Sequence, residues 1–273
     1  MSSPVPGGEH TAALLEFAVE LARAAGEVTL RAFGGRIAGV AKGDGTPVTD
    51  TDQAVERLLR ARIRDRFPDH AILGEEFGVD AGHPTGRPQV RWILDPIDGT
   101  RSFMAGVPLY GVLVGLEWGG TPLLGVAHFP ALSQTVSAAR EQGCYLDGTR
   151  TGVSSVSRLA DAVALNSDPG LVARSPVGAG WTTLSEKVAY TRSWGDAYGH
   201  TLVATGRAEI MLDPEDLKPW DAAPLLPILT EAGGRFTSLD GRATIHGGSG
   251  LSTNGLLHDD TLATLTGPPT PTP

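Results

Sequence analysis

The chain has 273 residues, 41% of them hydrophobic and 19% charged, with a formal net charge of −9. That length buries a sizeable core as one large domain or two packed halves, and the negative balance argues against nonspecific nucleic-acid binding. The single cysteine, Cys144, excludes an intrachain disulfide and a thiolate zinc cluster and makes a reducing, cytoplasmic setting the default.

Residues 1–10 show neither a basic start nor an apolar run, so no signal peptide or membrane span is expected. Residues 11–33 repeat Leu14, Phe17, Ala18, Leu21, Ala25 and Val28 at helical spacing, and Gly34-Gly35 form the stop. The loop KGDGTPVTDTD follows. A second helix is predicted from near Thr51 to Phe67, with Ala54, Val55, Leu58 and Leu59 on its buried face and Pro68 ending it. Two short apolar runs then end in charge. Ala71–Leu73 leads into Gly74-Glu75-Glu76, and Val90–Leu94 leads into Asp95-Pro96-Ile97-Asp98-Gly99-Thr100. Leu109–Leu116, Leu123–Phe129 and Thr135–Ala139 read as further strands, and Gly143–Gly148 as a hairpin-like turn.

In the second half, Ala162–Leu165 and Ala208–Leu212 read as strands and Ala197–Thr205 as a helix. Trp220-Asp221 opens a helix that runs through Ala232 to the stop Gly233-Gly234. Pro224 is tolerated in a first turn, whereas Pro227 is expected to bend this helix or shift its start. Leu251–Thr253 reads as a last strand and His258–Thr266 as a closing helix. The order predicts an α+β half over residues 1–155 packed on an α/β half over 156–266. The proline-rich tail at 267–273 is expected to be disordered.

Three acidic points stand out: Glu75 past a short strand, the Asp95/Asp98 pair, and Asp221 at a helix start. In Asp95-Pro96-Ile97-Asp98 the carboxylates are three apart across a stiffening proline. Two carboxylates held close repel unless a cation sits between them, and hard oxygen ligands suit Mg²⁺ beside a phosphate. Gly99 allows close approach of an anion to the backbone N–H groups of the turn. Each residue taken singly has an ordinary reading as a strand end, turn residue or N-cap.

Together, LGEEFG at 73–78, WILDPIDGTRSF at 92–103 and PWDAAPLLPILTEAGG at 219–234 resemble the GEE, DPxDGT and WDxAA…EAGG signatures of the inositol monophosphatase family, as does VTDTDQAVE at 48–56. The resemblance implies a layered αβαβα sandwich of the inositol monophosphatase and fructose-1,6-bisphosphatase type, usually a homodimer. It implies that Glu75, Asp95, the carbonyl of Ile97, Asp98 and Asp221 bind two or three Mg²⁺ ions. Asp52 and Thr100 would orient the attacking water, Glu75 would help deprotonate it, and the amides of Gly99 and Thr100 would hold phosphate oxygens. The activity implied is in-line hydrolysis of a phosphate monoester without a covalent intermediate. Lys42 reads equally as a point charge for the phosphate and as a solvated loop lysine.

Arg101-Ser102-Phe103 with Gly106-Val107-Pro108, and Trp194-Gly195-Asp196-Ala197-Tyr198-Gly199, resemble the histidinol-phosphatase branch of that family. Inositol-specific members usually carry a small neutral or hydroxyl residue at the position of Asp196. A carboxylate there would favour a cationic alcohol over neutral inositol; its plain alternative is a helix N-cap. Asp213 or Glu215 is a second candidate partner for the cation, although Asp213 reads more simply as a loop acid. Asp98, Gly99, Thr100, Asp196, Ala197, Asp213 and Asp221 thus form the expected substrate set. The substrate class is a small soluble phosphate ester, with no nucleic-acid or membrane partner. Inositol-1-monophosphatase, 3′-phosphonucleotide phosphatase and a noncatalytic regulatory module stand as alternatives.

Overall fold

The computed structural model describes residues 7–35, 39–41, 47–82 and 89–267. Lys42, His83 and the prolines of the tail lie outside them. Helix α1 (Gly8–Ala32) buries Leu14, Ala18, Leu21, Ala22 and Ala25 along one stripe. Strands β1 (Val40–Ala41) and β2 (Pro47–Val48) pair antiparallel. Helix α2 (Asp50–Arg66) opens on a capping box, in which Thr49 and Asp52 satisfy each other's backbone N–H groups.

Strands β3 (Ala71–Gly74), β4 (Gly78–Asp80) and β5 (Val90–Asp98) precede helix α3 (Thr100–Ala105). Strands β6 (Gly111–Trp118), β7 (Thr121–Phe129), β8 (Gln134–Ala139), β9 (Gly143–Leu146) and β10 (Thr149–Thr151) follow. They form one eight-stranded sheet in the order β10-β9-β8-β7-β6-β5-β3-β4. In it only β3 and β5 run parallel.

The rest of the chain contributes β11 (Val163–Asn166), α4 (Pro169–Arg174), α5 (Gly178–Lys187), β12 (Tyr190–Arg192), α6 (Ala197–Ala204) and β13 (Ile210–Asp213). It closes with α7 (Pro219–Glu231), β14 (Arg235–Thr237), β15 (Gly250–Thr253) and α8 (His258–Thr266). The second sheet has five strands in the order β12-β11-β13-β15-β14.

Period-two alternation sorts the side chains into layers. On β5, Trp92 and Leu94 face α1 and α2, while Ile93 joins the cluster around α6 and α7. On β13, Met211 faces that same middle layer, whereas Ile210 and Leu212 face α5 and α8. The result is the expected αβαβα sandwich. Each large side chain fully buried in it, such as Trp92 or Phe129, is worth about 2 to 3 kcal/mol of transfer free energy.

Helix α7 lies unusually close to the first sheet. A Cβ on Gly125 of β7 would sit 2.1 Å from the Pro224 carbonyl oxygen, and one on Gly115 of β6 would sit 2.7 Å from the Ala223 Cβ. Two sheet glycines therefore set the depth at which α7 begins. Of the two outcomes expected of Pro227, the shifted start does not occur. The helix runs from Pro219 through both Pro224 and Pro227. A proline N–H is absent in any case, and burial of Ala222, Ala223, Leu225, Ile228 and Leu229 outweighs the lost helical bonds. Among the described residues, no helix is long and apolar enough to cross a membrane.

Candidate active site

The Asp95/Asp98 pair owes its geometry to a β-bulge. In a regular strand, residues three apart point to opposite faces. Here Asp95 pairs with Leu113 and Asp98 with Gly111, so β5 carries one residue more than β6 over that span. The extra residue turns Asp98 back to the face of Asp95. Backbone polarity locks the turn: Asp95 Oδ1 accepts from the Ile97 N–H at 3.0 Å, and the Thr100 hydroxyl donates to the Ile97 carbonyl at 3.0 Å. Gly99 sits at φ 73°, in the left-handed region that favours glycine, and α3 starts after it.

Asp221 arrives from α7. Its Oδ2 accepts from the Lys218 N–H at 2.7 Å, which fixes it at the helix N-terminus. One carboxylate oxygen each from Asp95, Asp98 and Asp221 lies within 4.8 Å of the others. Glu75 lines the same cavity, because β3 and β5 run parallel and Gly74 pairs with Leu94, so both strands end at the same edge. The Glu75 N–H donates to the Leu94 carbonyl at 3.2 Å.

The turn that carries Glu75 hangs on Glu56, the last residue of the VTDTDQAVE segment, for which the sequence suggests no role of its own. Fully buried in α2, Glu56 accepts from the Glu76 N–H at 2.6 Å, the Phe77 N–H at 3.2 Å and Arg60 Nε at 2.7 Å. A Cβ on Gly74 would collide with its carboxylate at 2.1 Å.

Burial, then the charges of Glu75, Asp221 and Asp98, push the Asp95 carboxyl far above the ordinary carboxylate range. Burial, then Asp196 and Asp221, does the same to Asp98, and burial raises Asp221 to about 7. Mutual repulsion among these three carboxylates calls for a compensating cation. The oxygen-only donor set fits a hard divalent metal.

The residues expected to orient water are held otherwise. Asp52 Oδ2 accepts from the Thr49 N–H at 2.8 Å and the Thr49 hydroxyl at 2.5 Å. Its Oδ1 is buried without a partner, and burial raises its pKa. Thr100 turns its hydroxyl to Ile97 rather than to Asp52.

The opposite wall of the cavity belongs to the second sheet and α6. Asp196 occupies the N-cap position of α6, yet its side chain makes no cap bond. The cap comes from across the sandwich, where Asp98 Oδ2 accepts from the Ala197 N–H at 3.0 Å. Asp196 thus holds the N-cap position without capping through its side chain, and the Ala197 amide is committed to Asp98. Asp196 approaches the Gly99 turn closely, since a Cβ on Gly99 would sit 3.0 Å from its Oδ2. Burial and then Asp213 raise Asp196 to about 6, opposed by His200 and Arg101.

Asp213 is not the loop acid that the sequence suggests. It ends β13, is 7% exposed, and continues the Met211 face into the cavity. Its Oδ1 accepts from the Ser167 hydroxyl and its Oδ2 meets His200 Nε2 at 2.8 Å. His200 carries no motif, although its spacing of four from Asp196 on a helix is the available signal. Glu215 lines the rim with Asp216 and Lys218.

The inositol monophosphatase family profile matches residues 10–267. The chain belongs to the inositol monophosphatase family. It is 42% identical over 253 residues to the histidinol-phosphatase of Chlorobaculum parvum, covering 92% of this chain and 96% of that protein. It is 43% identical over 258 residues to the histidinol-phosphatase of Mycobacterium tuberculosis, covering 92% and 97%. The extragenic suppressor protein suhB of Bartonella henselae superposes with a TM-score of 0.86 at 26% identity, covering 93% of this chain and 99% of that one. Family enzymes are metal-dependent, in agreement with the acidic cluster.

Proposed function

We infer that the chain is a Mg²⁺-dependent phosphatase that converts L-histidinol phosphate and water to L-histidinol and phosphate, a step of histidine biosynthesis. The observation that carries the choice of substrate is the second acidic wall. Opposite the metal cluster, Asp196 and Asp213 line the cavity where the alcohol of the ester would lie. A neutral polyol gains little from two carboxylates, one buried and one half-buried, whereas an alcohol bearing an ammonium and an imidazole pairs with them. The relatives named histidinol-phosphatase support the same substrate.

Glu75, Asp95, the Ile97 carbonyl, Asp98 and Asp221 would hold Mg²⁺, which when bound supplies Lewis acidity toward the phosphate and lowers the pKa of water. The protein's own part is positioning. Asp52 keeps Oδ1 as a buried acceptor and would orient the attacking water, with Thr100 turning from Ile97 to join it. Glu75 would take the water's proton. The left-handed turn at Gly99 leaves the Gly99 and Thr100 amides to meet phosphate oxygens. Arg101 and Lys218 line the same cavity and would add positive charge near the ester.

A cytoplasmic homodimer completes the reading, the compartment on the single-cysteine composition and the dimer on the family likeness. Phosphate release with Mg²⁺ from L-histidinol phosphate, myo-inositol 1-phosphate and 3′-phosphoadenosine 5′-phosphate tests the substrate. A kcat/KM for histidinol phosphate at least about tenfold above both others is expected. Equal rates, or a preference for inositol phosphate, would keep the hydrolase and remove this substrate.

A further inference from the structure

The structure assigns His200 as the positioning residue that holds Asp213 in aim at the cationic end of the substrate, and so as a determinant of specificity. The assignment rests on the cationic-substrate reading above. It starts from a chain of buried polar contacts that the chemistry of phosphate hydrolysis does not use. Ser167, on the loop after β11, donates to Asp213 Oδ1. His200 Nε2 lies 2.8 Å from Asp213 Oδ2, and His200 Nδ1 lies 2.7 Å from the Ser252 hydroxyl. His200 and Ser252 are both 0% exposed.

A carboxylate accepts, so Nε2 carries the proton toward Asp213, and Ser252 fixes the other ring nitrogen. Both ring nitrogens are thereby tied to the second sheet, and the imidazole has no second orientation that preserves both bonds. Each Asp213 oxygen keeps one protein partner and retains a further lone pair for a ligand. A buried carboxylate fixed in this way presents its charge to an incoming ammonium or imidazolium with little rotamer entropy left to lose.

The local sequence supplies the geometry. Asp196 is the N-cap residue of α6 and His200 lies one turn into the helix, and both line the same cavity. Gly199 lets α6 lie against β13, because a Cβ there would sit 2.6 Å from Met211 Sδ. Met211 pairs with Ser252 across β13 and β15, and Asp213 is two residues on, on the Met211 face. His200 therefore bridges one helix and two strands at the point where the second sheet meets the cavity.

The test measures kcat and KM for L-histidinol phosphate and for glycerol 2-phosphate, an ester of an uncharged alcohol, at saturating Mg²⁺. The proteins are wild type, His200→Ala, His200→Gln and Asp213→Asn, with melting temperatures recorded alongside. His200→Ala is expected to raise the histidinol phosphate KM about tenfold with kcat within about threefold, and to move the glycerol phosphate KM less than about threefold. His200→Gln, which keeps a donor near the Nε2 position, recovers most of that KM. Adding the His200 change to Asp213→Asn costs less than about a further twofold, since the two act as one unit.

The assignment is overturned by equal losses on both esters, by an unmoved histidinol phosphate KM, by Gln behaving as Ala, or by full additivity with Asp213→Asn. Should His200→Ala not fold, the Gln variant and the Asp213→Asn background separate the same outcomes. A wild type indifferent to the charge of the alcohol sinks the substrate reading and this assignment together. A wild-type preference that survives in His200→Ala sinks this assignment alone.

Discussion

The two walls of the cavity are both acidic, but they are built on opposite principles. On the first, Asp95, Asp98 and Asp221 crowd within 4.8 Å, and burial plus mutual repulsion drives their pKa values upward. On the second, both oxygens of Asp213 are met by protein donors, Ser167 and His200. The first wall is electrostatically incomplete and calls for a metal. On the second, Asp213 is fully held by its donors, while Asp196 makes no cap bond and is raised to about 6 by burial and the charge of Asp213.

The contrast predicts opposite stability effects for the same substitution. Without divalent metal, Asp95→Asn relieves repulsion and should stabilise the fold by about 1 kcal/mol, while turnover drops at least about 10³-fold. Asp213→Asn removes charge-assisted bonds and should destabilise by about 1 to 2 kcal/mol. Melting curves in chelator together with phosphate release check both. A destabilised, active Asp95→Asn would erase the distinction.

The first wall also depends on backbone contact. Gly125→Ala places a Cβ against the Pro224 carbonyl and should cost about 2 to 3 kcal/mol in chemical denaturation. It should weaken apparent Mg²⁺ affinity as well, because α7 carries Asp221. Wild-type metal affinity in a destabilised protein would show that the seating of α7 does not set the cluster.

A smaller effect separates proton from metal. Asp221 is raised from 3.8 to about 7. The folded state then binds that proton more tightly than the unfolded state, so its contribution is complete below the unfolded value and is lost as pH rises through 7. A divalent cation replaces the proton, so the Mg²⁺-induced rise in Tm should grow between about pH 5 and about pH 8. A Tm gain independent of pH would contradict the crowding of the first wall.

Outside both walls, His258 gives a control of opposite sign. It bridges Thr237 and Thr253 through its two ring nitrogens at 3.1 and 3.0 Å, and burial lowers it from 6.5 to about 4. The unfolded chain takes up the proton first, so stability is lost as pH falls from 6.5 toward 4, at up to about 1.4 kcal/mol per pH unit. The Tm gap between wild type and His258→Gln should narrow over that range. A constant gap would show that the buried ring does not titrate in this way.

The first wall is legible in the sequence because its residues sit in contiguous motifs. The bulge that aligns Asp95 with Asp98 is not, since it depends on the register of β6. Long periodic segments such as α1, α2 and β5 to β8 are legible too. Strands β4, β10, β12 and β14, each three residues long, carry too little alternation to announce themselves. The second wall is half legible. A motif marks Asp196, but Asp213 reads as a loop acid because the predicted strand ends one residue early, at Leu212. His200 and Glu56 act through partners distant in the chain, and no local pattern encodes a contact between His200 and Ser252.

The most direct measurement is the ratio of kcat/KM for L-histidinol phosphate to that for myo-inositol 1-phosphate, in wild type and in the Asp196→Asn/Asp213→Asn double variant at saturating Mg²⁺. A wild-type ratio of about tenfold or more that collapses toward one in the double variant is the predicted result. A ratio that survives removal of both charges would contradict the claim that the second acidic wall selects the substrate.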